Sequence, residues 1–352
     1  MHEAFNQAKR ESNWKAQVQS FEWNELQYIN EISRQIKEKT YEPQDTNDFD
    51  LNERGKLRHI KANTIKDRVV NTVIENYVLL PLTEPKLIYD NGASRKGKGT
   101  DFTRQRLEKH LHDAMINYGP QATIAVFDFH NFFGSILIDK LMDRYKEIID
   151  DEDVLELLEK LLRKHNDGDV GVGIGSIISQ NAGIYYPNLL DNYIKIVLGY
   201  KYYGRYMDDF YIICKSRAEA KDLYPKIRDY VSKNLYLELN DKKIQIKKLT
   251  DGFSFMKFYY RVTETGKVIK RQNGDTFIRE RRKLKRYKAK GFPVEDIQDW
   301  YNSWRGNVVK YYANYPRVLR TDALFKQLFP QGVIKETKYD LRYKRQYSKR
   351  PS

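Results

Sequence analysis

The chain has 352 residues, 40% of them hydrophobic and 32% charged, which is enough apolar material for a core divided among two or three subdomains. Its 63 Lys and Arg against 48 Asp and Glu leave a net charge of +15, which favours a polyanionic partner, above all nucleic acid, over a membrane surface. No apolar run is long enough for a transmembrane helix, the N-terminus lacks a signal-peptide core, and Cys214 is the single cysteine, which predicts a cytoplasmic protein without an internal disulfide.

The first part of the chain combines helical spacing with basic segments. Apolar residues at roughly helical spacing predict a helical region over 1–50. A Gly-containing turn and a basic extended stretch follow in NERGKLRHIKANTIKDRVV, and a helix is predicted from about Ile65. The cations of this segment are Lys56, Arg58, Lys61, Lys66 and Arg68. The next loop, YDNGASRKGKGTDF, has glycines that let its backbone approach a phosphate and cations that neutralise it.

A strand that ends in a carboxylate follows a long helix. The helix is predicted to run to about Tyr118, and its His110 and His112 diverge by about 200°, so they are interpreted as surface residues. The stretch TIAVFDFHNFFGSI predicts a short apolar strand ending at Asp128. A buried charge must be paired or must hold a metal ion. A helix cap is the alternative for Asp128 taken by itself.

A glycine-rich segment follows an amphipathic helical region over 136–166. Small residues from Gly168 to Ser179 let the backbone pass tightly against a flat group, and a helix is predicted to begin near Ser176 to Gln180. The run GVGIG lacks the spacing of a dinucleotide fingerprint, which argues against a nucleotide cofactor.

The stretch YYGRYMDDFYIIC, residues 202–214, places two adjacent acids between two aromatic and β-branched arms. This pattern predicts a tight β-hairpin with Asp208 and Asp209 at its turn, where Asp tolerates a left-handed backbone. Cys214, in the second arm, is predicted to be a buried small hydrophobe. Taken alone, the two acids could be no more than turn residues.

The last third of the chain is predicted to be first mixed and then helical. A helix over about 217–234 precedes the alternating strand LYLELNDKKIQIKKL, which carries Lys242 and Lys243 past its turn. The strand pair around FSFMKFYYRV ends the β-rich part, and aromatic residues at helical spacing predict a helical region over 266–334.

The tail 335–352 spaces Tyr339, Tyr343 and Tyr347 four residues apart among basic residues. It is interpreted either as a segment that stacks on or cradles RNA or as a disordered, solubilising tail.

The three acids suggest a chemistry. If Asp128, Asp208 and Asp209 meet at adjacent strand ends, they can hold two Mg²⁺ ions, with Mn²⁺ as an alternative, because hard cations prefer oxygen ligands. Two such ions stabilise the attacking and leaving oxygens of an in-line phosphoryl displacement. The sequence therefore predicts an α+β fold that carries out nucleotidyl transfer.

Several motifs, in the same order, resemble those of reverse transcriptases. YMDD after a strand is their hallmark, FDFHNFF resembles the first palm motif, and GKLRHIKANTIKDRVV and GASRKGKGTDF resemble the two fingers motifs. LELNDKKI resembles the motif after the active hairpin, FSFMKF the primer-gripping hairpin, and WYNSWRGNVVKYY the thumb of bacterial members. The resemblance implies a right-hand polymerase, with fingers and a ferredoxin-like antiparallel palm over 51–265, a helical thumb over 266–334 and a basic tail over 335–352.

The resemblance also implies roles for individual residues. Asp128 and Asp208 would ligate both metal ions, with Phe129 at the metal site, Asp209 in support, and Lys243 as a proton donor to pyrophosphate in competition with Lys242. Phe133 falls where the family places its steric gate against the ribose 2′-OH. The residues implied in dNTP or template binding are Lys56, Arg58, Lys66, Arg68, Phe133, Gln180, Tyr206 and Met207. One departure is Lys257, which stands where the primer-gripping motif usually has Gly, and it is expected to change that turn.

A narrower resemblance concerns the biological role. IGSIISQ, residues 174–180, fits the IGxxxSQ form of bacterial or phage reverse transcriptases from diversity-generating retroelements, which implies error-prone copying opposite template adenines. The implied partners are a template RNA, a cDNA or primer strand, dNTPs and a small basic accessory protein. Two alternatives remain: an antiphage defence enzyme that makes cDNA from a non-coding RNA, and a catalytically silent RNA-binding protein.

Overall fold

The structure, a computed structural model, describes residues 1–53, 55–166 and 168–347. The chain forms two compact units. The first comprises Met1–His110, Ile124–Cys214 and Ala218–Ile246, and the second comprises Leu111–Thr123, Lys215–Arg217 and Lys247–Ser352. Helices and antiparallel strand pairs occur in both, so the predicted α+β class is confirmed.

The first unit is built mainly from helices, with a two-stranded and a four-stranded sheet. Its helices are α1 (His2–Ala8), α2 (Ala16–Trp23), α3 (Glu25–Lys37), α4 (Ile65–Ile74), α5 (Leu80–Thr83), α6 (Thr100–Tyr118, which continues into the second unit), α7 (Phe132–Ser135), α8 (Ile138–Lys146), α9 (Glu152–Asn166), α10 (Ile177–Tyr185), α11 (Asn188–Asn192) and α12 (Arg217–Leu235). π-Helical turns extend α4 over Glu75–Leu79 and α11 over Tyr193–Val197. Among the described residues, no helix is both long and apolar enough to cross a membrane.

Two sheets accompany these helices. The strands are β1 (Asn47–Glu53), β2 (Lys56–Ala62), β3 (Thr123–Asp128), β4 (Tyr203–Tyr206), β5 (Asp209–Cys214) and β6 (Gln245–Lys248). β1 and β2 form an antiparallel hairpin, and the other four strands form a sheet in the order β4-β5-β3-β6. Every residue of β3 is buried, which explains why its sequence is a continuous apolar run rather than an alternating one.

The predicted hairpin is present, but its turn lies one residue earlier than expected. Tyr206 pairs with Asp209, so the turn consists of Met207 and Asp208, and Asp209 is the first residue of β5. Met207, not an Asp, has the left-handed backbone, with φ of 54°. The prediction of Asp at that position was wrong, because strand pairing extends to the second acid.

Two further predictions about side chains have different outcomes. Cys214 is 1% exposed within the core of the first unit, as predicted. His110 was predicted at the surface but is buried, and its Nδ1 lies 2.9 Å from the hydroxyl of Tyr211. The helical face that carries His110 packs on β5, which helical spacing alone does not reveal.

The second unit contains a three-stranded sheet and a helical region. The antiparallel strands are β7 (Phe253–Phe255), β8 (Phe258–Val262) and β9 (Val268–Gln272), and the helices are α13 (Gly274–Ala289), α14 (Val294–Val309), α15 (Tyr315–Leu328) and α16 (Lys338–Tyr347). The turn between β7 and β8 consists of Met256 and Lys257, which both have positive φ, 46° and 70°. Lys257 therefore adopts a left-handed backbone conformation without being glycine.

The C-terminal segment is folded as far as it is described. Tyr343 of α16 is 4% exposed and packs with Tyr312 and Tyr315. The guanidinium of Arg305 binds the carboxylate of Asp340 through Nη1 at 2.8 Å and Nη2 at 2.6 Å. The interpretation of 335–352 as a disordered tail is thus wrong for α16. Residues 348–352 lie outside the described residues, as does the side chain of Tyr347.

Candidate functional site

The predicted acids come together at one end of the four-stranded sheet. Asp128 is the last residue of β3, and the backbone N–H of the next residue, Phe129, donates to the carbonyl of Asp208 at 3.2 Å. Asp209 begins β5, the strand beside β3 in the sheet. Residues 80 positions apart in the chain thus meet because two neighbouring strands end side by side.

Asp128 is held by a lysine and an asparagine. Its carboxylate is 4% exposed and accepts from Lys243 Nζ at 2.7 Å and from Asn240 Nδ2 at 3.2 Å. Burial lowers the pKa of Lys243, but the hydrogen bond to Asp128 and the charges of all three acids more than offset this and raise it. The ammonium therefore stays protonated at neutral pH. Of the two lysines considered as proton donors, Lys243 is the one that contacts Asp128.

The acids repel one another. Burial raises the pKa of Asp209 to about 8, and the negative charges of Asp208 and Asp128 act in the same direction. Carboxylates that lie close together disfavour one another's ionisation. The ammonium of Lys243 offsets part of this negative charge.

The residues present fit a divalent cation. Among the described residues, no group of three or more His, Cys, Asp or Glu is already arranged as a metal site. The donor set is nevertheless made of carboxylates, which Mg²⁺ and Mn²⁺ prefer, and their mutual repulsion is what a dication would relieve. The ring of Phe129 is buried and stacked on Phe132 at 5.1 Å, so only its backbone carbonyl could serve as a ligand.

Comparisons with known proteins bear on this geometry. Residues 36–268 match the family described as reverse transcriptase (RNA-dependent DNA polymerase), which is about two thirds of the chain. The chain belongs to the reverse transcriptase family. Members of this family are RNA-directed DNA polymerases, a class of nucleotidyltransferase that generally uses divalent metal ions. No match is found among curated proteins.

Solved structures show the same fold. Telomerase from Candida albicans, in complex with a TWJ fragment of telomeric RNA, has 12% identity and a TM-score of 0.51, over 94% of this chain and 71% of that chain. Apo telomerase from Candida tropicalis has 12% identity and a TM-score of 0.49, over 91% of this chain and 65% of that one. This reverse transcriptase chain therefore spans less than two thirds of the length of the latter. Together with the family match, the likeness to the Candida albicans structure shows the reverse transcriptase fold, with which a right-hand polymerase is consistent.

Phe133, the gate residue implied by the reverse transcriptase motifs, lies close to the hairpin turn. A Cβ built on Gly183 of α10 would lie 3.0 Å from the ring of Phe133 and 3.4 Å from Sδ of Met207. Gly183 thus leaves the space in which these two side chains meet. Phe133 is only partly buried, whereas its neighbour Phe132 is in the core. Tyr206 and Met207, also implied at the substrate site, are partly buried.

Two of the cations that the motifs imply for the fingers of this reverse transcriptase contact other residues of the chain. Arg68 is directed to the N-terminal segment, where it donates to Ser12 Oγ at 3.1 Å and to the carbonyl of Ala8. Lys66 lies 4.7 Å from the centre of the Tyr28 ring and 3.6 Å from a carboxylate oxygen of Glu31.

The remaining residues implied at the substrate site lie at several places in the first unit. Arg58 lies on β2 opposite Leu51. Lys56 begins β2, and its side chain lies outside the described residues. Gln180 is exposed on α10 and accepts from Ser94 Oγ at 3.3 Å. Of the implied substrate residues, Tyr206 and Met207 adjoin Asp208 in the hairpin, and Phe133 lies near Gly183, as Met207 does.

Sequence reasoning missed the residue that holds the hairpin. Arg205 of β4 is fully buried and forms two hydrogen bonds with the carboxylate of Asp191, from Nε at 2.7 Å and Nη2 at 2.6 Å. It also donates to the carbonyl of Met207 at 3.1 Å. The available signal was a cation inside an otherwise apolar arm, YYGRYM, since a buried charge needs a partner.

Proposed function

We propose that this chain is an RNA-directed DNA polymerase that copies a template RNA into cDNA by two-metal nucleotidyl transfer. The observation that carries the proposal is the meeting of Asp128 with Asp208 and Asp209, with Lys243 Nζ 2.7 Å from Asp128. A turn acid with no catalytic role has no need of a buried carboxylate from a second strand. The proposed fingers and palm lie within 51–265, and the proposed thumb is 266–334.

The chain's own residues would divide the work as follows. The carboxylates of Asp128 and Asp208 hold the cations, and Asp209 adds negative charge behind them. Bound Mg²⁺ or Mn²⁺ supplies stabilisation of charge on the attacking and leaving oxygens. The primer 3′-OH would form a bond to the α-phosphorus of a dNTP and release its proton to solvent as the bond to pyrophosphate breaks. The ammonium of Lys243 would give the leaving pyrophosphate a proton and regain one from solvent. Phe133 would exclude the ribose 2′-OH.

Primer extension on a defined RNA template tests the activity. The wild-type chain should incorporate dNTPs with Mg²⁺ or Mn²⁺, and Asp208→Ala should reduce the rate by at least about a thousandfold, because a metal ligand is lost. Asp229→Ala removes an exposed carboxylate of α12 and serves as the matched control, with full activity expected. A wild-type chain that binds RNA but extends nothing with either ion would leave the silent RNA-binding alternative.

Binding of the cations has a separate readout. A dication that binds the folded chain raises its unfolding temperature by mass action. We expect Mg²⁺ and Mn²⁺ to raise it for the wild type and not for Asp128→Asn. The same rise in both proteins would place the bound ions elsewhere.

For the biological role, we propose error-prone copying in a diversity-generating retroelement. The supporting observation is the IGSIISQ segment. Its Gly175 has φ of 129°, and a Cβ added at Gly175 would lie 2.9 Å from the carbonyl oxygen of Lys61. The backbone at Ile174 also accepts from the N–H of Lys61 at 3.3 Å, so this segment lies against β2. A small basic accessory protein is the proposed partner.

Sequencing of the cDNA tests this role. Substitutions concentrated opposite template adenines are the expected result, with and without the neighbouring gene products. Errors spread evenly over the four template bases would remove the assignment and favour cDNA synthesis in antiphage defence.

A further inference from the structure

A second site in the first unit is built around a buried glutamate. Glu75, in the π-helical turn that follows α4, is 8% exposed and borders a cavity of about 200 Å³. Liquid water takes about 30 Å³ per molecule, so the space is several times larger than one water needs. π-Helical turns within α-helices are rare and occur often at functional sites.

One oxygen of Glu75 lacks a partner. Its Oε1 accepts from Asn181 Nδ2 at 3.3 Å, while Oε2 forms no hydrogen bond within the part of the chain that the structure describes. Asn181 has no capacity left to help, since its amide also donates to Thr83 and its carbonyl accepts from Tyr145. Burial raises the pKa of Glu75 to about 7. An unpartnered buried oxygen is costly, which points to a ligand that completes it.

The lining of the cavity indicates the ligand chemistry. Leu80, Ile177 and Ile184 give it apolar sides, and the exposed Gln180 offers an amide. Lys96, an exposed cation from the loop YDNGASRKGKGTDF, also borders the cavity. Apolar sides suit the faces of a planar ring, a carboxyl and an amide suit the polar edge of a nucleobase, and an ammonium suits a phosphate.

We propose that this cavity binds one unstacked nucleotide of the single-stranded template RNA, with its base against Glu75 and its phosphate at Lys96. The inference rests on the proposed function, because a polymerase that copies RNA must handle unpaired template. Glu75 contacts the base directly, so a nucleotide that carries a base should bind more tightly than an abasic one. The same cavity would accept a free nucleotide, and the experiment separates the two sources.

The test uses primer–template duplexes in which one abasic nucleotide is moved through successive unpaired template positions. For the wild type, affinity should fall about fivefold to tenfold at one position, where a base hydrogen bond is lost, and stay constant elsewhere. Glu75→Gln keeps the volume of the side chain, and Leu80→Trp fills the cavity. Both variants should remove this position-specific loss of affinity, called the dip below. Glu156→Gln, an exposed change on α9, should keep it.

The outcomes are distinguishable. A wild type that extends primers but shows no dip at any position overturns this inference and leaves the polymerase proposal intact. Absence of extension overturns the polymerase proposal instead. If Glu75→Gln melts at a higher temperature and has an unchanged dip, Glu75 is only a buried carboxyl, and the inference fails. Nucleoside monophosphates that protect the wild type, but not Glu75→Gln, in the absence of a dip would identify a free nucleotide as the ligand and overturn the template assignment.

Discussion

Arg205 and Asp191 form a fully buried ion pair next to the hairpin that carries Asp208 and Asp209. The guanidinium of Arg205 contacts both oxygens of Asp191, and the hydroxyl of Tyr203 donates to the same carboxylate. Arg205 also donates to the carbonyl of Met207 at 3.1 Å and to that of Ile184 at 2.8 Å. One side chain thus ties the turn that carries Asp208 to helices α10 and α11.

Asp191→Ala should be strongly destabilising. Removing the carboxylate leaves the buried guanidinium without its counter-charge, which costs about 3–5 kcal/mol. Asp229→Ala, which breaks the exposed pair with Lys233, should cost less than about 0.5 kcal/mol. Chemical unfolding of the full chain measures both. Equal, small losses would show that the Arg205 charge is satisfied by carbonyl groups alone.

The sequence predicted the acid cluster because its strands have simple patterns. An apolar run ending in Asp128 and two aromatic arms around Asp208 and Asp209 are local signals. The acids then come together because β3 and β5 are neighbours in the sheet. The partner of Arg205 could not be read in the same way, because Asp191 lies 14 positions earlier on a different element. The prediction that His110 lies at the surface was wrong for a related reason. A polar helical residue that pairs with a buried hydroxyl has the same sequence pattern as one at the surface.

The C-terminal tail shows a different limit. Basic composition left disorder open as one of two interpretations, but Tyr343 and Asp340 provide a hydrophobic contact and a buried ion pair that composition does not reveal. The turn at Met256 and Lys257 has positive φ at both residues although neither is glycine, which composition does not reveal either.

Phe133→Val should relax the choice of sugar. The partly buried ring of Phe133 lies near Gly183, as does Sδ of Met207. If Phe133 is the steric gate, shortening its side chain opens space for a ribose 2′-OH. The preference for dNTPs over rNTPs in primer extension should fall by about tenfold or more.

Phe132→Val is the matched control for this change. It alters a buried ring stacked on Phe129, so it should cost stability, about 2 kcal/mol, and leave the sugar preference unchanged. A change in sugar preference from Phe132→Val, and none from Phe133→Val, would assign the gate to the other ring.

Lys257→Gly should stabilise the second unit. A non-glycine residue pays about 1 kcal/mol for a left-handed backbone, and at φ of 70° glycine avoids this cost. The greater freedom of glycine in the unfolded chain offsets part of the gain. We expect a rise of a few degrees in the unfolding temperature. Lys247 is an exposed residue of β6 with an ordinary strand backbone, so Lys247→Gly should instead lower the unfolding temperature. A lower temperature for both would mean that the Lys257 side chain itself stabilises the turn.

Glu280 on α13 should make stability depend on pH. It is 8% exposed, and its Oε1 has no hydrogen-bond partner in the described part of the chain. Burial raises its pKa from the ordinary 4.5 to about 7, although Lys283 and Arg279 act against this. Between these two values the unfolded chain has lost the proton and the folded chain keeps it, so the contribution of Glu280 to stability falls as pH rises from 4.5 to about 7 and is constant above.

Glu280→Gln removes this dependence. At about 1.4 kcal/mol per pH unit, the full effect is about 3 kcal/mol. At pH 8 the variant should therefore be more stable than the wild type by up to that amount, and the difference should shrink toward pH 5. Urea unfolding at several pH values measures it, and the exposed Glu295→Gln serves as the control with no such trend. A constant difference between Glu280→Gln and the wild type across this range would mean that Glu280 is ionised in the folded chain, held by the cations around it.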